Sequence, residues 1–162
     1  MIHFFPRLDC RIRVKKCSQD ICSILESVTD PRGEWFNTDS AAVFVGKVNS
    51  SGFKIVPKPR NGYRNSFSPV IEGRITGGKN VAIVDVKMRL HLFARIFLVV
   101  WFGGVGYALL AGILGIMAGK LSEGISFTIV PILLIVFGQG LIRIGFYPPA
   151  KQALRRLEEM LT

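Results

Sequence analysis

At 162 residues, carrying 21 Lys and Arg against 11 Asp and Glu, the chain has room for one small folded domain beside its apolar stretches and none for a second. The mean hydropathy of +0.39 and the 49% hydrophobic content average a strongly basic part with a strongly apolar one and so describe neither. Cys10, Cys17 and Cys22 are an odd set in an expected reducing compartment, so no disulfide framework is expected, and their spacing fits no zinc-ligand pattern.

Met1 to Pro6 is too short for the apolar core of a signal peptide before Arg7 arrives, so membrane insertion is expected to rest on later segments. Leu8, Cys10, Ile12 and Val14 alternate with Asp9, Arg11, Arg13 and Lys15, a period of two that predicts a strand with one buried and one basic, wet face. Ser18 offers an N-cap, and Ile21, Ile24, Leu25 and Val28 recur at helical spacing. Thr29-Asp30-Pro31-Arg32-Gly33 reads as the turn that closes that helix. Trp35 and Phe36 open a half that reads as β throughout. Ala41 to Val48 and Phe53 to Val56 form a hairpin across Asn49-Ser50-Ser51-Gly52. Phe67 to Ile75 and Val81 to Leu90 pair across Thr76-Gly77-Gly78-Lys79-Asn80. Glu72 and Asp85 then fall on adjacent strands, and cross-strand cations among Arg74, Lys87 and Arg89 account for them better than a catalytic pair does.

Ile96 to Gly119 is 24 residues without a charge and Gly124 to Ile142 is 19. At ~1.5 Å per residue both reach across a hydrocarbon core of ~30 Å. Phe146-Tyr147-Pro148-Pro149 is expected to stop the second span at the interface and to pre-set a new helix over Ala150 to Leu161, whose Ala150, Leu154, Leu157 and Leu161 share one face. That face is expected to cover the open side of the sheet.

The fold class that follows is α+β: a small, mostly antiparallel sheet with one or two helices, plus a two-helix transmembrane hairpin. Residues 1–93 form the cytoplasmic domain, 94–146 the hairpin with spans at about 96–119 and 124–142, and 147–162 the C-terminal amphipathic helix. Lys87, Arg89, Arg95, Arg143, Lys151, Arg155 and Arg156 flank the hairpin on the side of the termini, and Lys120 alone sits in its loop. The positive-inside rule therefore places both termini in the cytoplasm.

The inventory for catalysis is poor. His3 and His91 are isolated, and no nucleophile with a base and no metal set is visible, so the chain is expected to be neither an enzyme nor a cofactor or metal protein. The best ligand candidate is the polar loop in which Lys58, Arg60 and Arg64 supply charge-assisted donors, Asn61 and Asn65 supply amides, and Tyr63 offers a stacking face. Such a set suits a phosphate-bearing anion, free or as a phospholipid headgroup; duplex nucleic acid is not expected. Within the spans, Gly104, Ala108 and Gly112, and again Ala111, Gly115 and Gly119, recur every four residues, and Gln139 is the one strongly polar side chain. Small residues at that spacing favour helix association, within the hairpin or between copies. With no charge inside either span, a selective ion pathway has no support.

Tyr63-Arg64-Asn65-Ser66-Phe67, Pro69 and Ile71-Glu72-Gly73-Arg74-Ile75, followed by Met88-Arg89-Leu90-His91 and Trp101, resemble a group of small uncharacterised bacterial membrane proteins with a two-helix hairpin. The resemblance spans roughly Phe44 to Phe102 and implies a shared architecture in bacteria, with no activity to carry over. In layout the chain is similar to two-helix effectors of bacterial nucleotide-signalling defence, in which a β-rich domain binds a signal nucleotide. The expected function is a membrane-held, non-enzymatic ligand- or lipid-binding module; the alternatives are an oligomerising effector or an accessory subunit of a larger membrane complex.

Overall fold

The computed structural model describes residues 5–31, 42–58, 65–78 and 80–161. Among them six strands form one sheet: β1 (Arg7–Val14), β2 (Thr29–Asp30), β3 (Phe44–Asn49), β4 (Gly52–Pro57), β5 (Pro69–Gly77) and β6 (Ala82–Leu90), in the spatial order β1-β6-β5-β4-β3-β2. Every pairing is antiparallel except β2 with β3. Three helices accompany them: α1 (Ser18–Ser27), α2 (Leu92–Met117) and α3 (Leu121–Leu161). The architecture is α+β with a helical hairpin, as the periodicities imply.

The register explains which face is buried. Ile12 stands opposite Val84 and Val14 opposite Ala82; Val84 in turn stands opposite Ile75, Met88 opposite Ile71, and Ile71 opposite Ile55. Successive strand residues point to opposite faces, so these side chains share one surface and are buried, several of them completely. α1 contributes Ile21, Cys22 and Leu25 to the core.

Four local expectations are corrected. The N-cap of α1 is Cys17, not Ser18: its backbone is extended and its Sγ accepts the Asp20 N–H at 3.3 Å. Thr29 and Asp30 are not merely a turn but a short strand lying parallel to β3, which raises the expected five strands to six among the described residues. β5 begins at Pro69 rather than Phe67. The largest difference is in α3, which runs unbroken for 41 residues through Pro148 and Pro149, where a stop was expected. Two prolines remove the N–H groups that Ile144 and Gly145 would otherwise bond four residues on. The Gly145 carbonyl has another donor, the Asn65 side-chain amide at 2.8 Å.

The chain divides into two compact units, one comprising Met1–His91 with Gly145–Thr162 and the other Leu92–Ile144. Within the first, Phe146, Ala150, Ala153, Leu157 and Leu161 are buried, so the C-terminal part of α3 belongs to the core around the sheet. The buried stripe takes Ala153 where Leu154, which is half-buried, was expected. Lys16 Nζ donates to the Leu161 carbonyl at 2.9 Å, placing a cation where the helix dipole is negative.

In the second unit, α2 ends in a Schellman motif. Gly119 adopts φ of 83°, its N–H bonds to the Ile116 carbonyl, and the Lys120 N–H reaches back to Gly115. Gly112 and Gly124 mark the closest approach of α2 to α3: a Cβ on Gly112 would lie 2.6 Å from the Phe127 carbonyl carbon, and one on Gly124 would lie 2.6 Å from Ile116 Cγ1. The Phe127 carbonyl is the one that Pro131 leaves without a helical donor, and it is turned onto the bare Gly112.

Candidate functional site

Of the six residues of the candidate ligand loop, Arg60, Asn61, Tyr63 and Arg64 lie outside the described residues. Lys58 follows β4, and its backbone N–H bonds to the Val43 carbonyl at 2.9 Å. Asn65 uses both ends of its amide on the chain itself: Oδ1 accepts the Phe67 N–H at 2.9 Å while Nδ2 donates to Gly145. These two bonds tie Asn65 to Phe67 and to Gly145.

The wet face of the sheet carries the basic first strand, and here neighbouring strands alter its character. Along one row across the sheet the register sets Asp9 opposite Lys87, Lys87 opposite Glu72, and Glu72 opposite Lys54; along the next it sets Arg11 opposite Asp85 and Asp85 opposite Arg74. Charges therefore alternate in sign across the strands, with Arg11 Nε to Asp85 at 2.6 Å and Lys54 Nζ to Glu72 at 2.9 Å. The cations paired with the two carboxylates are thus Arg11 and Lys54, supplied by strands on the far side of the expected partners. A shallow depression over this face is lined by Asp9, Arg11, Glu72, Arg74, Asp85 and Lys87. A lattice of this kind is self-compensating, and each exposed pair contributes little to stability.

Arg7 closes the row with an ion pair to Asp9. The hydrogen bond from Arg7 holds the Asp9 carboxyl below the usual carboxylate range, with weaker help from Lys87 and Arg89. A carboxyl whose pKa is depressed on folding adds stability above its unfolded pKa and loses it as pH falls through the folded one. Asp9→Asn should therefore lower neutral-pH stability slightly and flatten its fall below about pH 4 by the same small amount, because both side chains are 40% or more exposed. Melting curves over that range check it.

Cys10, Cys17 and Cys22 are all free thiols. Burial pushes the Cys22 thiol pKa up, and its Sγ points to the Asn49 carbonyl at 3.5 Å, the environment of an inert core thiol. Among the described residues no group of three or more His, Cys, Asp or Glu could hold a metal ion.

The association residues separate into distinct roles. Gly112 lies at the crossing inside the hairpin with Gly115 beside it, 3.6 Å from the Gly124 Cα if given a Cβ, and Gly119 ends α2. Gly104 has open space where a Cβ would be, Ala108 is half-buried, and Gln139 is half-buried on α3 next to Gly138, which faces the Phe102 ring. Sequence reasoning missed Gly124 and Gly145, since neither belongs to a four-residue stripe. Both are small because another part of the chain comes close to them.

Both long helices are apolar enough and long enough to cross a membrane, with mean hydropathies of 2.1 and 2.2 in their best windows. No family model, curated protein or solved structure matches the chain.

Proposed function

We propose that the chain is a two-span protein of the bacterial cytoplasmic membrane whose sheet-bearing unit faces the cytoplasm as a non-catalytic binding or sensing module. One observation carries the membrane reading. The most apolar windows of α2 and α3 are only 17% and 11% buried, whereas the core helix of a soluble protein is mostly covered. Phe93, Val100, Leu114, Leu133, Val136 and Phe137 all stand exposed, a surface that water disfavours and lipid accepts. The orientation rests on the excess of Lys and Arg on the terminal side of the hairpin, and the bacterial setting on the resemblance in Tyr63 to Ile75 and Met88 to His91. The ligand class rests on Lys58, Arg60 and Arg64, which suit a phosphate-bearing anion.

Two measurements test this. Alkaline carbonate washing should leave the chain in the membrane fraction, a phosphatase fused after Lys120 should be active and a fluorescent protein fused after Thr162 should shine; recovery in the carbonate supernatant ends the proposal. For the ligand, nucleotides and anionic vesicles are titrated against the sheet unit, and binding should weaken when Lys58, Arg60 and Arg64 are replaced by Ala. No binding of either probe removes the ligand from the reading.

A second reading, self-association of α2 in an oligomerising effector, is favoured by one observation: Gly103, Gly104 and Gly106 meet no other part of the described chain where a Cβ would stand. Gly104→Leu should then abolish crosslinked dimers in membranes. An unchanged crosslinking pattern rejects it.

A further inference from the structure

Tandem prolines inside a helix leave two carbonyls without donors and ordinarily kink or end it, yet α3 passes through Pro148 and Pro149 as continuous helix. Pro149 is four residues beyond Gly145, and it is the Gly145 carbonyl that receives Asn65 Nδ2. The side-chain amide thus replaces the missing backbone N–H of Pro149. The orientation of that amide is fixed by chemistry, because its oxygen accepts from Phe67 and only its nitrogen is left to donate. Gly145 is part of the same arrangement: a Cβ there would lie 2.9 Å from both Cβ and Cδ2 of Phe67, so Phe67 comes this close to the helix because position 145 has no side chain.

We propose that Asn65 is a latch on a proline hinge in α3: with the bond to Gly145 closed the helix is continuous, and with it open the helix frays around residues 145–149. The inference needs only the sheet-bearing unit and holds whether or not the apolar helices lie in a bilayer.

Asn65→Asp tests it with little change of shape. The carboxylate still accepts the Phe67 N–H, so the turn is kept, but it cannot donate to Gly145. Hydrogen exchange is measured on the full chain in detergent micelles. Exchange in the segment 144–153 should rise by about three- to tenfold, the range for loss of one partly exposed hydrogen bond, with β5 and β6 unchanged. Pro149→Ala restores a backbone donor for Gly145, so in that background Asn65→Asp should leave exchange in the segment unaltered. If Asn65→Asp alone lowers the yield of folded chain, restoration of yield by Pro149→Ala supports the latch equally. No acceleration in the single variant, an equal acceleration in the Pro149→Ala background, or an acceleration spread evenly over the sheet each overturns it.

Discussion

Residues 1–91 expressed alone should not fold, whereas the same residues joined by a short flexible linker to 145–162 should give a soluble domain that melts cooperatively. The cause lies in which side chains complete the core. Phe146, Ala150, Leu157 and Leu161 are fully buried and Ala153 nearly so, and all five belong to the unit that holds the sheet. At about 1.5–3 kcal/mol for each large side chain, their removal withdraws roughly 5–9 kcal/mol, which is comparable with the whole stability of a small domain. The exposed strand faces of β5 and β6 would then favour aggregation. Circular dichroism and thermal melts of the two fragments decide the point: a cooperative melt for residues 1–91 alone would mean that α3 decorates the domain instead of completing it. In the full chain, Leu157→Ala should lower stability by about 2–5 kcal/mol.

How much of this was legible in the sequence depends on the range of the interaction involved. The alternations in β1 and β6 are properties of each strand, because one face meets the core and the other water; Leu8 to Val14 and Val81 to Leu90 could therefore be read from the local pattern alone. The same holds for the two apolar helices, which are defined by length and lack of charge. The continuity of α3 could not be read in this way. Pro148 and Pro149 forbid a helix on local grounds, and the donor that removes part of the penalty sits 80 residues earlier in the chain.

The wet face of the sheet teaches the same lesson. Arg11, Arg13 and Lys15 make the first strand basic on its own, but pairing with β6 sets Asp85 against Arg11, and β4 brings Lys54 to Glu72. The carboxylate that gives a strand its electrostatic character belongs to its neighbour, so the sign of a surface is legible only once the strand order is known. The N-cap shows a smaller version: serine is the better capping side chain in general, but the chain enters α1 one residue earlier, at Cys17. For the ligand loop the sequence supplies Lys58, Arg60 and Arg64 as a chemical set, while the partners of the Asn65 amide become legible only in the fold.

Gly112→Leu should break the hairpin, while Gly104→Leu should leave it intact. Both residues lie in the same four-residue stripe on α2, so spacing alone predicts equal effects. The surroundings differ. A Cβ at 112 would fall within 2.7 Å of the Phe127 carbonyl carbon and oxygen and of Thr128 Oγ1, and the Thr128 hydroxyl is itself held by the Gly124 carbonyl at 2.8 Å. Backbone cannot rotate away as a side chain can, so the two helices must separate or slide. Overpacking of this kind costs about 1–3 kcal/mol where side chains yield, and more is expected where the obstacle is a helix backbone. In a bilayer the loss is not offset by hydrophobic burial, since helix contact there depends on close van der Waals packing and a few hydrogen bonds. At 104 a Cβ meets nothing within 4 Å. Cysteine pairs placed across α2 and α3 report the outcome: oxidative crosslinking within one chain should fall sharply for Gly112→Leu and persist for Gly104→Leu. Equal loss in the two variants would show that the whole stripe packs inside the hairpin, and equal persistence would show that the hairpin tolerates a side chain at its closest approach.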